Sequence, residues 1–101
     1  IEPVSYAVLL EHHVLMQKRI DYLILDGIVD DKTFGDEYGK IVEQAKRIYS
    51  SCLEYNISFN PQLIKQIYAG VELIIDEEQQ LLNRLLEILK QYYLLHKKDG
   101  K

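Results

Sequence analysis

Apolar residues recur at alternating intervals of three and four along most of this chain. The longest series is Ile64, Ile67, Val71, Ile74, Glu78, Leu81, Leu85, Ile88, Tyr92 and Leu95. Such spacing sets one residue per turn on a single helix face, a heptad seam with Glu78 as its one polar interruption. It predicts a helix over 60–98. Asn60 is placed as N-cap, Pro61 occupies the first helical position, and Phe59 stands where a hydrophobic staple would close on Ile64.

One point in this helix invites a break. Asp76 and Gln79 have the spacing of a capping box, and Gly70 lies nearby. A break near 76 would give four helices. The seam keeps its phase across 76, however, and neither glycine nor proline stands at the would-be turn, so one continuous helix is the preferred expectation.

Two shorter seams precede it. Tyr6, Leu9, His13, Met16, Ile20 and Leu23 share one face, with Val8, Leu15 and Tyr22 extending it to one side. They predict a helix over 3–26, opened by Pro3 and closed by Gly27 in the left-handed region with Ile28 after it. A hairpin around Asp26-Gly27 is the rival, but two residues on its far side make too short a strand.

Phe34, Tyr38, Ile41, Ala45, Ile48, Cys52 and Tyr55 form the remaining seam, predicting a helix over 33–56. Asp30, Asp31 or Thr33 would cap it and Asn56 would end it; Gly35 and Gly39 weaken its first turns. The fold class is therefore all-α, an antiparallel bundle of three long helices in one domain.

Composition agrees. The chain has 101 residues, 48% hydrophobic and 28% charged, with two prolines and five glycines. That is a globular balance with few strand-and-turn signals. The net charge of −4 supplies no general attraction to nucleic acid or to anionic membranes. No apolar run approaches the roughly 20 residues a membrane span needs. A single cysteine, Cys52, suits a reducing, cytoplasmic setting. A first residue of isoleucine, with no signal-peptide pattern, reads as a processed chain or part of a longer protein.

Candidate chemistry is sparse. Asp26 to Glu37 has the twelve-residue length of a calcium loop, but Ile28 stands where a ligand belongs and Asp31 where the turn needs glycine. It reads as an acidic connector. His12 and His13 point about 100° apart on a helix and cannot chelate together, and no partner stands at metal-motif spacing. His13 reads as a core histidine, and so does His96; a metal or catalytic site would need the fold to join them. Cys52 lies on a core seam without an activating histidine. No phosphate loop, nucleophile elbow or cofactor motif occurs, so no catalytic, metal or cofactor residue is assigned.

Two surfaces suggest partners. Tyr93 and Leu94 fall off the main stripe, which leaves the last helix apolar nearly all round near its end. A helix of that kind is covered on several sides. Leu86, Leu89, Tyr92, Tyr93, Leu94 and Leu95 are the expected contact residues of a protein–protein interaction module, an adaptor, an assembly subunit or a self-associating domain. Basic residues are the second surface. Lys40, Lys46 and Arg47 on one helix, with Lys90, Lys97 and Lys98 on another, would serve a nucleic-acid accessory protein, with the tyrosines available for stacking.

Overall fold

The structure, a computed structural model, describes residues 3–97. It is an all-α bundle of three helices, α1 (Pro3–Leu25), α2 (Thr33–Ser58) and α3 (Pro61–Lys97), with no strand among the described residues. Lys98 lies outside them. α3 is unbroken over 37 residues, about 56 Å at 1.5 Å per residue, and nearly fills the 61 Å long dimension of the molecule. Asp76 does not cap a new helix. Its carboxylate accepts from Gln80 Nε2 one turn later, at 3.2 Å.

Each boundary has a local cause. Gly27, with φ of 77°, closes α1. Its N–H donates to the Ile24 carbonyl at 3.1 Å and the Ile28 N–H to the Leu23 carbonyl at 3.0 Å, the paired bonds of a Schellman ending. The Asp31 carboxylate accepts from the N–H and hydroxyl of Thr33, at 3.0 and 2.6 Å. Lys32, at the N-cap position, makes no side-chain cap bond, and Asp31 one residue before it meets the first N–H of α2 instead. Thr33-bound in this way, Asp31 has its carboxyl held below the usual range, chiefly by the side-chain bond, with a smaller share from the Arg84 charge.

α2 outlasts the expected stop at Asn56 and runs to Ser58. Phe59 then takes the left-handed conformation, φ 55°, and its N–H donates to the Tyr55 carbonyl at 2.8 Å. Phe59 is exposed and meets the Tyr55 ring edge-on at 6.1 Å. It ends α2 and does not staple α3. Asn60 caps α3 as expected, its side-chain oxygen accepting from the Gln62 N–H at 3.0 Å.

α2 is the central element. All six of Phe34, Tyr38, Ile41, Ala45, Ile48 and Cys52 are buried on it, because it packs against both neighbours. α1 and α3 meet through side chains alone, their Cα atoms staying more than 8 Å apart. Glycines set the two close approaches. A Cβ on Gly35 would lie 3.1 Å from Asp21 Oδ1 and 3.3 Å from Ile24 Cδ1, so α1 rests against the first turns of α2. The Gln17 amide crosses there, donating to the Gly35 carbonyl at 3.1 Å. A Cβ on Gly70 would lie 2.7 Å from Gln44 Nε2 and 2.9 Å from Ile48 Cγ1, which brings α3 onto the middle of α2.

The seams differ in one respect from their sequence reading. On α3 the buried line includes Leu63 and Gly70 beside Ile67, Ile74, Leu81 and Leu85. On α1 only His13 and Ile20 are buried, while Val8, Leu15 and Tyr22 are exposed. They form a second face of α1 and do not widen the first.

Candidate interaction surface

Four contacts fix the register of α3 against α2 and the connector before it. The Tyr38 hydroxyl donates to Glu78 Oε2. Six residues on, Arg84 donates to Glu37 Oε2 at 2.6 Å, lies 3.5 Å from Asp31 Oδ2, and stands over the Phe34 ring at 5.3 Å. Arg84 is therefore level with the first turn of α2. The 13 residues from Leu85 to Lys97 run past that turn, about 20 Å of helix.

That segment is partly flanked. The acidic connector, with Asp26, Asp30 and Asp31, lines a cleft against Ile88, Tyr92 and Leu95. Away from the cleft there is no cover. Tyr93, Leu94 and Leu95 are more than half exposed, as is Leu86. Tyr92 is at the margin of exposure, stacked on His96 at 3.9 Å, and His96 Nδ1 donates to the Tyr92 carbonyl at 2.9 Å. Leu89 is half-buried and packs against the core. Leu86, Tyr93 and Leu94 thus stand clear of the cleft, Tyr92 and Leu95 line it while staying partly exposed, and Leu89 joins this end of α3 to the core.

The other expected sites are dispersed. Lys46 pairs with Glu43 at 3.2 Å and Arg47 donates to Gln44 at 3.2 Å; Arg47 and Lys40 line a cleft that α2 shares with α1 and α3, and Lys46 lies off it. Lys90 and Lys97 are at the far end of α3, where Lys97 stands over the Tyr93 ring at 5.9 Å. The two basic groups do not form one surface. His13 is buried at mid-bundle against Glu78, and His96 lies 18 residues beyond Glu78 on α3, about 27 Å along the axis. The fold does not join the two histidines. Among the described residues no three metal-binding side chains come together, and no helix is long and apolar enough to cross a membrane.

The fold and this surface define a class, a three-helix bundle with an uncovered helix end. No protein-family model, curated protein or solved structure matches the chain.

One polar cluster escaped the sequence reading. His13, Tyr38 and Glu78 come from three helices and meet in the interior. His13 Nδ1 lies 2.7 Å from the Leu9 carbonyl and its Nε2 3.1 Å from Glu78 Oε1, while the His13 and Tyr38 rings stack at 6.2 Å. Burial first, then the hydrogen bond to Glu78 and that group's charge, raise the Tyr38 hydroxyl far above the ordinary tyrosine range. The one available signal was positional. Glu78, His13 and Tyr38 each stand on the apolar seam of their own helix.

Proposed function

We propose that this chain is a helical protein–protein interaction module without catalytic activity of its own, docking through the C-terminal third of α3. The observation that carries the reading is the exposure of Tyr93, Leu94 and Leu95 on helix that runs past the start of α2. Tyrosine and leucine side chains in this density supply apolar area with few rotatable bonds, which is what buried interface centres are rich in. The polar interior cluster supports a structural role for itself, since His13 and Tyr38 are closed to solvent and to any substrate. The cytoplasm is the setting that suits a chain with one buried cysteine.

The test is binding measured on two surface variants. Tyr93→Ala and Leu94→Glu change exposed positions, so helix content stays the same while binding of a protein partner falls. A chain that is strictly monomeric, with no partner lost in either variant, sinks the reading.

A further inference from the structure

We propose that the outer face of α1 is a homodimer interface, on which a second copy of this chain packs antiparallel about a two-fold axis at Leu15. The inference goes beyond the docking end of α3. It shares with that reading only the class of act, and uses a different helix.

α1 has two apolar faces. One carries His13 and Ile20 into the core, at 2% and 0% exposure. The other carries Val8, Leu15 and Tyr22 at heptad intervals, at 57%, 47% and 63% exposure. Val4 and Leu25, also exposed, continue this stripe at its two ends. None of the described residues covers it.

Charge selects the occupant. Three charged residues, Glu11, Lys18 and Arg19, stand on or beside the stripe, and all are exposed; Glu11 and Lys18 share one edge of it and Arg19 the other. Glu11 and Lys18 are of opposite sign, and stand four residues before Leu15 and three after it. Seven residues apart, about 10.5 Å along the axis, they are too far from each other to pair. Neither is among the hydrogen bonds or ion pairs of the described residues.

An antiparallel copy with its two-fold at Leu15 brings each Glu11 to within about 1.5 Å, along the axis, of the other copy's Lys18. The same operation sets Val8 level with Tyr22 and Val4 within one residue's rise of Leu25. The apolar positions of the stripe then meet apolar ones and Glu11 meets Lys18 on one edge, while Arg19 and His12 lie on the other edge, open to solvent. A heterologous partner would need a separate charge pattern to match this one. A second copy carries it already, as an isologous interface requires.

The size of the contact sets its strength. One pair of 23-residue helices buries less than the roughly 1,200 Å² of a standard interface, so the dimer is reversible, with a Kd on the order of 10 μM to 1 mM.

Sedimentation equilibrium on the whole chain, from about 10 μM to 1 mM, tests this with four variants. Circular dichroism checks that each retains its helices. The wild type moves from 11.9 kDa toward twice that mass as concentration rises. Glu11→Lys and Lys18→Glu singly weaken association about tenfold or more, because like charges then oppose each other twice across the two-fold. The double swap Glu11→Lys/Lys18→Glu restores it to within about threefold, since the opposed pairs are rebuilt. Leu94→Glu, on α3, leaves it unchanged. A wild type that stays at one chain's mass throughout overturns the proposal, as does a double swap no better than the singles. A dimer lost in Leu94→Glu and kept in Glu11→Lys also overturns it, and assigns self-association to α3 instead.

Discussion

His13 Nε2 on α1 lies 3.1 Å from Glu78 Oε1 on α3, and this contact joins two helices whose Cα atoms stay more than 8 Å apart. The Leu9 carbonyl requires a donor at Nδ1, so that nitrogen carries a proton. The His13 Nε2 faces one oxygen of the Glu78 carboxyl, and the Tyr38 hydroxyl donates to the other. The cluster is complete and closed to solvent on the histidine side.

Removing one partner strands the other. Glu78→Leu leaves the buried His13 Nε2 without its bond, and His13→Leu leaves the carboxylate facing apolar side chains. Each is expected to destabilise the fold by about 3 kcal/mol, whereas replacing both partners costs less than the sum of the two, with the Tyr38 hydroxyl still left without its acceptor. Chemical denaturation of the two singles and the double measures the coupling. Additive losses would show that the contact contributes nothing beyond packing.

Tyr38 gives the fold an alkaline limit. Its hydroxyl resists ionisation in the bundle, whereas in the unfolded chain a tyrosine ionises near about pH 10. Above that pH the unfolded state holds fewer protons than the folded one, so stability falls as pH rises, by up to about 1.4 kcal/mol per unit for this group. Below about pH 10 the contribution is fully present. Tyr38→Phe loses the bond to Glu78, and with it this part of the alkaline slope. Stability curves of both proteins from pH 8 to 11 compare the slopes. Parallel limbs would assign the loss to other tyrosines.

Gly70 and Gly39 are expected to respond to alanine with opposite signs. Both are helical, so alanine brings up to about 1 kcal/mol of helix propensity at either. At Gly70 the new Cβ meets Gln44 and Ile48 at under 3 Å and forces α2 and α3 apart, a net loss of about 1–3 kcal/mol. At Gly39 it meets only Gln17 Oε1, at 3.6 Å, an ordinary contact. Thermal melts of Gly70→Ala and Gly39→Ala should move in opposite directions.

Arg84 ties α3 to the start of α2 through Glu37, Asp31 and the Phe34 ring. All of its ionic partners are exposed, so Arg84→Ala costs about 1 kcal/mol, and less in 1 M salt. Lysine should not replace it, because a point charge cannot both span two carboxylates and lie flat on the ring. The depressed Asp31 carboxyl contributes stability above the ordinary aspartate range, which is lost as pH falls through it. An acid titration in which Asp31→Asn matches the wild type would remove that share.

Helix number and order were legible because the three seams repeat at the helix period over many turns, and Gly27 and Asn60 carry unambiguous end chemistry. Asn56 misled because its propensity to stop a helix is weak beside the packing of Tyr55. Phe59 misled because local pattern cannot show whether a residue between two helices belongs to the one before it or the one after. The uncovered end of α3 was visible as surplus apolar residues. The His13, Tyr38 and Glu78 cluster was not, since it depends on three helices in register, and no single stretch encodes that. The outer stripe of α1 looked like an extension of the core for a similar reason, as spacing alone does not say which of two faces a neighbour will cover.

The separation of α1 from α3 also bears on how the chain reaches this state. Close backbone approach occurs only between helices adjacent in sequence, α1 with α2 and α2 with α3, across connectors of a few residues. Neither hairpin has to wait for a distant segment, and loop-closure entropy is small at both turns. Such a topology folds quickly, with α2 as the template on which either neighbour can condense first. The buried contact of His13 with Glu78, which joins α1 to α3, needs both hairpins closed before it can form.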